Sequence, residues 1–182
     1  DRSGNSLMTT GGGSLGPVVG RLNWPYAIAS YASLQGASMR NDIIVANTRN
    51  NTVERWNTAA ACTTFLNVNK NDCSPQVVWR ATAANGKNFL HPKDVFVAGD
   101  FVYVADADNK RIVKLNATDG TYANLSLTTF TVGAKSDLLH TVEGVAVDPT
   151  GKIWVADTSY NRLVQFSSTG AFLQVFGKQG IT

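Results

Sequence analysis

The residues best suited to chemistry are two histidines and two aspartates. His91 and His140 are the only histidines of the chain. With Asp106 and Asp157 nearby, they offer ligands that zinc and other divalent ions accept. However, the histidines occupy adjacent rather than equivalent positions of a repeated pattern, and no H-x-x-x-H or C-x-x-C spacing supports them. An aspartate that ends a strand before a turn accepts backbone N–H bonds and holds that turn, so we expect structural roles and no metal or other cofactor.

Two cysteines form a second candidate site. Cys62 and Cys73 lie in a stretch whose flanking residues are polar rather than core-like. A disulfide between them would close one short loop, and the alternative is two inert thiols. The polar flanks favour the disulfide and with it an oxidising compartment. We therefore expect a secreted, extracellular or cell-surface protein.

Three asparagines lie in N-glycosylation sequons. They are Asn50, Asn116 and Asn124. The Asn, Ser and Thr content of the chain makes this number of sequons expected by chance, so they permit glycans without arguing for them.

The overall composition excludes several classes of protein. Charged residues make up 16% of the 182 positions, against a usual share of roughly 25%. The net charge is +3, and no run of Lys or Arg occurs, so the electrostatic footprint of a nucleic-acid binder is missing. No apolar stretch approaches the roughly 20 residues that a membrane span needs, and the first residues have the composition of neither a signal nor a transit peptide. We expect a soluble chain.

An internal repeat organises the chain. Three segments align without gaps, and each carries a short apolar run before it and another after it: 45–56, 104–115 and 155–166. The runs hold Val, Ile, Phe, Tyr and Trp, are bounded by Gly, Asp, Asn and Pro, and are too short for a helical period. Each unit therefore predicts four strands and no helix. The runs 101–105 and 152–156 are apolar at nearly every position, which predicts sheets covered on both faces, as in the blades of a β-propeller.

The third unit resembles the NHL repeat family. Its matching residues are Glu143-Gly144-Val145-Ala146-Val147-Asp148, Ile153-Trp154-Val155-Ala156-Asp157 and Asn161-Arg162-Leu163. The second unit departs at 98–100 and has Asp94 where glycine is usual. The first has Asn47 for aspartate and Thr52 for arginine, with insertions at 30–40 and 59–74. The resemblance covers about 22–180 and implies an all-β fold, a β-propeller of NHL type that is commonly six-bladed.

The units predict a partial propeller. We expect an N-terminal strand and Gly-rich turn of a preceding blade in 1–21, and three four-stranded blades in 22–82, 88–133 and 139–180, the first with the cysteine-containing insertion. Propellers close with about four to eight blades. Three blades must therefore be completed by copies of the chain or by further sequence.

One rim of these blades is the candidate interaction surface. In an up-and-down blade, the loop before the first strand and the turn between the second and third strands lie on the same rim. The residues placed there are Trp24, Arg49, His91, Asp108, Lys110, His140 and Tyr160. Some NHL proteins bind RNA on a basic rim, but acids offset the bases here, so we expect no nucleic acid.

These observations favour a non-catalytic extracellular module with a structural or interaction role, which self-assembles into a ring or filament. The alternative is a ligand- or protein-binding module of a larger receptor-like protein. A metal-dependent, lyase-like enzyme is a third hypothesis, because amidating lyases resemble this family. No nucleophile elbow, phosphate loop or paired-carboxylate motif supports an enzyme.

The cysteine pair gives the first testable prediction. Peptide mapping without reduction is expected to recover Cys62 and Cys73 in one cross-linked species, and reduction is expected to lower the free energy of unfolding by about 2–3 kcal/mol, because the loop constraint on the unfolded chain is lost. Two separately alkylated thiols would contradict it. Intact mass measured with and without glycosidase reports whether the sequons carry glycans.

Overall fold

The computed structural model of the protein describes residues 22–35, 38–57, 76–132 and 134–177. The strand predicted in 1–21 and the predicted Cys62–Cys73 disulfide lie outside the described residues.

The fold is all-β and is dominated by three four-stranded antiparallel sheets, each in sequential strand order. The first blade contains β1 (Pro25–Gln35), β2 (Ser38–Asn47), β3 (Thr52–Asn57) and β4 (Gln76–Ala81). Two short strands, β5 (Ala83–Ala84) and β6 (Lys87–Asn88), form a hairpin that leads to the second blade. That blade contains β7 (Pro92–Ala98), β8 (Phe101–Asp106), β9 (Arg111–Asn116) and β10 (Tyr122–Leu127).

A second hairpin leads to the third blade. It pairs β11 (Thr129–Val132) with β12 (Lys135–Leu138). The third blade contains β13 (Val142–Val147), β14 (Ile153–Asp157), β15 (Arg162–Phe166) and β16 (Phe172–Phe176). Single 3-10 turns join the second and third strands of the blades at Thr48–Asn50, Ala107–Asn109 and Thr158–Tyr160. Within the described ranges no helix has the length and apolarity needed to cross a bilayer.

The second blade is covered on both faces, as its continuous apolar runs predict. Val102 and Val104 pack in one core with residues of the first blade, including Ile44. Tyr103 and Ala105, which alternate with them, pack in a second core with the third blade. Successive side chains of a strand point to opposite faces, so an apolar residue at every position requires a layer on each side.

The outer strand of the second blade differs from the sequence prediction. The apolar run 125–130, which follows the second repeated segment, predicts a single outer strand, but β10 ends at Leu127, and Phe130 lies in the hairpin that follows. Its ring stacks on Phe172 at 5.1 Å between centroids and meets Phe166 edge-on at 5.9 Å. The expectation was wrong because the apolar side chain of Phe130 packs against the third blade. Strand propensity does not indicate which blade an apolar side chain will contact.

Two glycines fix how neighbouring blades approach. Gly120 and Gly170 occupy equivalent turns between the third and fourth strands, with φ of +74° and +88°. A Cβ on Gly120 would lie 2.6 Å from Cε3 of Trp79, and a Cβ on Gly170 would lie 2.8 Å from Cδ2 of Leu127. In both cases the turn of one blade packs against the fourth strand of the preceding blade.

Substituting Gly120 tests this packing. Gly120→Ala is expected to lower the free energy of unfolding by about 2–4 kcal/mol, because left-handed strain and the clash with Trp79 add together. Gly86→Ala is the control, since Gly86 has a φ of +69° but open space around it. The control is expected to cost only about 1–2 kcal/mol. Urea unfolding measures both, and equal losses would contradict the packing role.

Candidate functional site

The rim is held together by one side chain per blade. The last residue of each second strand accepts backbone N–H bonds from the loop that precedes the first strand: Asn47 Oδ1 from Asn23 N (2.8 Å), Asp106 Oδ1 from Leu90 N (2.8 Å), and Asp157 Oδ1 from His140 N (3.0 Å) and Thr141 N (2.9 Å). All three side chains are buried. Asp106 and Asp157 accept backbone N–H bonds as expected, but the segment that they hold is the loop before the first strand, and neither side chain caps the 3-10 turn that follows it.

An arginine five residues later completes the rim in the second and third blades. Arg111 Nε donates to Asp106 Oδ2 at 2.6 Å, and its terminal nitrogens donate to the carbonyls of Ala84 (3.0 Å) and Lys87 (2.9 Å). Arg162 Nε donates to Asp157 Oδ2 at 2.9 Å, and its terminal nitrogens reach the other hairpin. Each guanidinium therefore ties the rim to the hairpin between two blades.

The sequence reasoning missed these carbonyl contacts. An arginine stem also covers neighbouring apolar surface: the guanidinium of Arg111 lies 5.9 Å from the ring centroid of Phe89. The recurrence of an arginine five positions after the aspartate was the available signal. The carbonyls that it meets belong to hairpins that the repeat pattern did not predict.

The first blade has different residues in place of the aspartate–arginine pair. Asn47 and Thr52 replace the aspartate and arginine, and both donate to the buried carboxylate of Glu54, at 3.1 and 2.8 Å. Trp56 Nε1 and Arg80 Nε also donate to Glu54, at 3.0 and 2.8 Å. Glu54 stands where the other blades have Val113 and Val164, so a buried charge replaces an apolar side chain, and four donors satisfy it.

The predicted interaction residues form three separate pairs, one on the same rim of each blade, and the third pair is displaced by one residue at both positions. The Arg49 guanidinium lies 3.6 Å from the ring centroid of Trp24. His91 Nδ1 lies 2.6 Å from Asp108 Oδ2, in an exposed pair. The His140 and Tyr160 rings stack at 3.8 Å. In each pair one residue comes from the loop before the first strand and the other from the 3-10 turn. Lys110, the seventh residue, is exposed and follows its turn at a φ of +57°.

Charged side chains of the inner strands also form contacts between the second and third blades. Lys93 forms an ion pair with Glu143 of the next blade, and that hydrogen bond raises the pKa of Lys93. Burial raises the pKa of Asp94, whose Oδ2 accepts the N–H of Val145 at 2.9 Å across the same boundary. The departure from glycine at position 94 therefore supplies a contact between blades.

A groove of about 540 Å³ lies between the second and third blades. The Lys114 ammonium lies in it, 3.6 Å from the ring centroid of Phe101, and burial lowers the pKa of that amine. Asp148, at the edge of the groove, has a pKa of about 2, because the Thr150 hydroxyl and further N–H groups donate to its carboxylate. Among the described residues, no group of three His, Cys, Asp or Glu side chains could hold a metal ion.

The sequon asparagines differ in their surroundings. Asn50 is half-buried in the first 3-10 turn. Asn116 donates from Nδ2 to Thr121 Oγ1 at 2.7 Å. Asn124 is exposed on β10 with a φ of +53°.

Comparison with known proteins agrees with this architecture. The family model named "NHL repeat" matches residues 139–166, which comprise most of the third blade. No curated protein matches the chain. Hydrazine synthase of Kuenenia stuttgartiensis is similar in structure, with a TM-score of 0.55 at 14% identity over 93% of this chain and 41% of that one.

A protein of unknown function from Bacteroides caccae is also similar, with a TM-score of 0.50 at 13% identity over 74% of this chain and 45% of that one. At these identities the likeness concerns the fold alone. This chain spans less than half the length of either protein. The third blade contains an NHL repeat, and the fold is of β-propeller type, a module suited to protein interaction.

The buried aspartate–arginine pair gives the next prediction. Arg111→Leu is expected to lower the free energy of unfolding by about 3–5 kcal/mol, because Asp106 would be left as an unpaired buried charge. Hydrogen exchange should also accelerate in the 83–88 hairpin, whose carbonyls lose their donors. Lys152→Leu, at an exposed position, is the control and is expected to change stability by less than about 0.5 kcal/mol. Equal stability of the two variants would refute the role given to Arg111.

Proposed function

We propose that the protein is a non-catalytic, extracellular propeller module that assembles with copies of itself into a ring or a filament. The observation that carries this proposal is the outward face of the third blade. Leu163 and Phe176 are 46% and 41% exposed there, whereas the equivalent residues of the second blade, Ile112 and Leu127, are 0% and 6% exposed beneath the third blade. A further blade would bury the same positions.

The extracellular part of the proposal is supported by the chain's chemistry. The polar residues that flank Cys62 and Cys73 in the sequence favour a disulfide, and the exposed side chain of Asn124 is accessible to a glycan, although its sequon alone does not argue for one. Both modifications belong to oxidising, secretory compartments.

Sedimentation velocity over a wide range of concentration tests the assembly. The expected species have masses that are multiples of the 19.5 kDa chain, and electron microscopy distinguishes rings from filaments. Leu163→Glu is expected to shift the population to the monomer, because the charge would be buried in the contact without a partner. Leu90→Glu is the matched control, since Leu90 is exposed to a similar degree on the rim. A wild-type chain that is monomeric throughout and unfolds cooperatively would overturn the proposal.

The second candidate is a ligand- or protein-binding module of a larger receptor-like protein. The three pairs on one rim favour it. The Trp24–Arg49 and His91–Asp108 pairs are exposed, the stacked His140 and Tyr160 rings are half-buried, and together they present polar and aromatic side chains to a partner. For this candidate, Trp24→Ala and Tyr160→Ala would weaken partner binding while self-assembly stays intact. Metal bound stoichiometrically by the purified protein, and lost in His91→Ala or His140→Ala, would instead favour the lyase-like reading.

A further inference from the structure

The first and second blades are joined at the rim by two hydrogen bonds. Thr48 Oγ1 donates to the carbonyl of Pro92 at 2.7 Å, and Asn51 Oδ1 accepts the N–H of His91 at 2.8 Å. The first blade contributes two side chains, and the second blade contributes two backbone groups. We refer to these four groups as the rim contact.

Backbone conformation makes the rim contact specific. Asn51 ends the 3-10 turn with a φ of +55°, and His91 precedes Pro92 with a φ of +47°. Both are left-handed, a region that residues other than glycine rarely adopt. The N–H of His91 is aimed at the first blade because of this conformation.

The junction between the second and third blades has neither half of the rim contact. Ala107 and Lys110 stand where the first blade has Thr48 and Asn51, and Ala107 has no hydroxyl to donate. The third blade begins with Thr141 and Val142 instead of a left-handed residue followed by proline. The contact is therefore not a general feature of this repeat.

The third blade nevertheless carries the side-chain half. Thr158 and Asn161 occupy the positions of Thr48 and Asn51, and Asn161 has a φ of +49°. Both residues are exposed, and in the part of the chain that the structure describes no other residue hydrogen-bonds to either side chain.

The first blade carries the backbone half. Trp24 precedes Pro25 as His91 precedes Pro92, and its φ of +49° matches the +47° of His91. The apolar surface beside it is also exposed, since Ile28 is 69% exposed and its equivalent in the second blade, Val95, is 4% exposed. Each end of the three-blade stack thus holds the complement of the other end.

We infer that the third blade of one copy docks on the first blade of a second copy through a repetition of the rim contact. Thr158 Oγ1 donates to the Pro25 carbonyl of the second copy, and Asn161 Oδ1 accepts its Trp24 N–H. Leu163 and Phe176 then cover the face that holds Ile28. This inference rests on the self-assembly proposed above and assigns the surfaces. Because the contact is head-to-tail, it closes into a ring or continues as a filament.

A double substitution tests the polar half of this contact. Thr158→Ala with Asn161→Ala is expected to raise the dissociation constant of self-association by about 10- to 100-fold, because two hydrogen bonds at the centre of the contact are lost. The control is Thr131→Ala with Asn88→Ala, which makes the same side-chain changes at exposed positions of the two hairpins. Thermal melts of both double variants check that the fold is retained.

Cross-linking tests which surfaces meet. Phe176 is replaced by p-benzoylphenylalanine, and this protein is mixed with an isotopically heavy wild-type copy. Light-to-heavy cross-links are expected in the tryptic peptide that spans residues 22–40. Cross-links elsewhere, or assembly that the Thr158/Asn161 substitutions leave unchanged, would overturn this inference while leaving self-assembly intact. A wild-type protein that never associates would overturn the proposed function and this inference together.

Discussion

A sheet that is apolar on both faces must be covered on both faces, and this constraint governs the whole molecule. The middle blade meets it, because Val104 packs towards one neighbour and Ala105 towards the other. The flanking blades cover it, and each carries a second face of its own. Further sheets of this kind could be added to the stack at either end. The two end faces therefore determine how the protein associates.

Several donors meet the buried carboxylates of Asp106 and Glu54 in this stack. Asp106 accepts N–H groups from the rim and from an arginine, and that arginine also binds carbonyls of the adjoining hairpin. In the same region of the first blade, the Glu54 carboxylate accepts hydrogen bonds from four donors. A buried carboxylate with its partners removed is costly, so either arrangement works only as a complete set. These two hydrogen-bonded sets show that a buried carboxylate in this region holds the loops together, whether it comes from aspartate or glutamate.

The two junctions between blades use different contacts over a common apolar base. The first has the rim contact and the Trp79 indole, whose Nε1 donates to the Ala117 carbonyl at 2.9 Å. The second has the Lys93–Glu143 ion pair and the Asp94 carboxylate on the Val145 amide. Because the polar contacts differ, a blade does not fit every neighbour equally well. Specificity of this kind lets a repeat protein select the end at which another blade docks.

The repeated four-stranded blades and the turns within them were determined by the amino-acid sequence alone, because alternating side-chain direction and turn chemistry act over a few residues. The two hairpins between the blades were not. That Asp106 and Asp157 accept backbone N–H bonds was also predicted, but the donors lie in the loop before the first strand and not in the turn that follows. Tertiary structure decided the rest. Phe130 lies in a hairpin that packs on the third blade and not in the outer strand. Arg111 donates to carbonyls more than 20 residues away, and the rim residues lie in pairs. Those outcomes depend on which blade lies beside which, and a residue's type does not encode the identity of a neighbour that is distant in the chain.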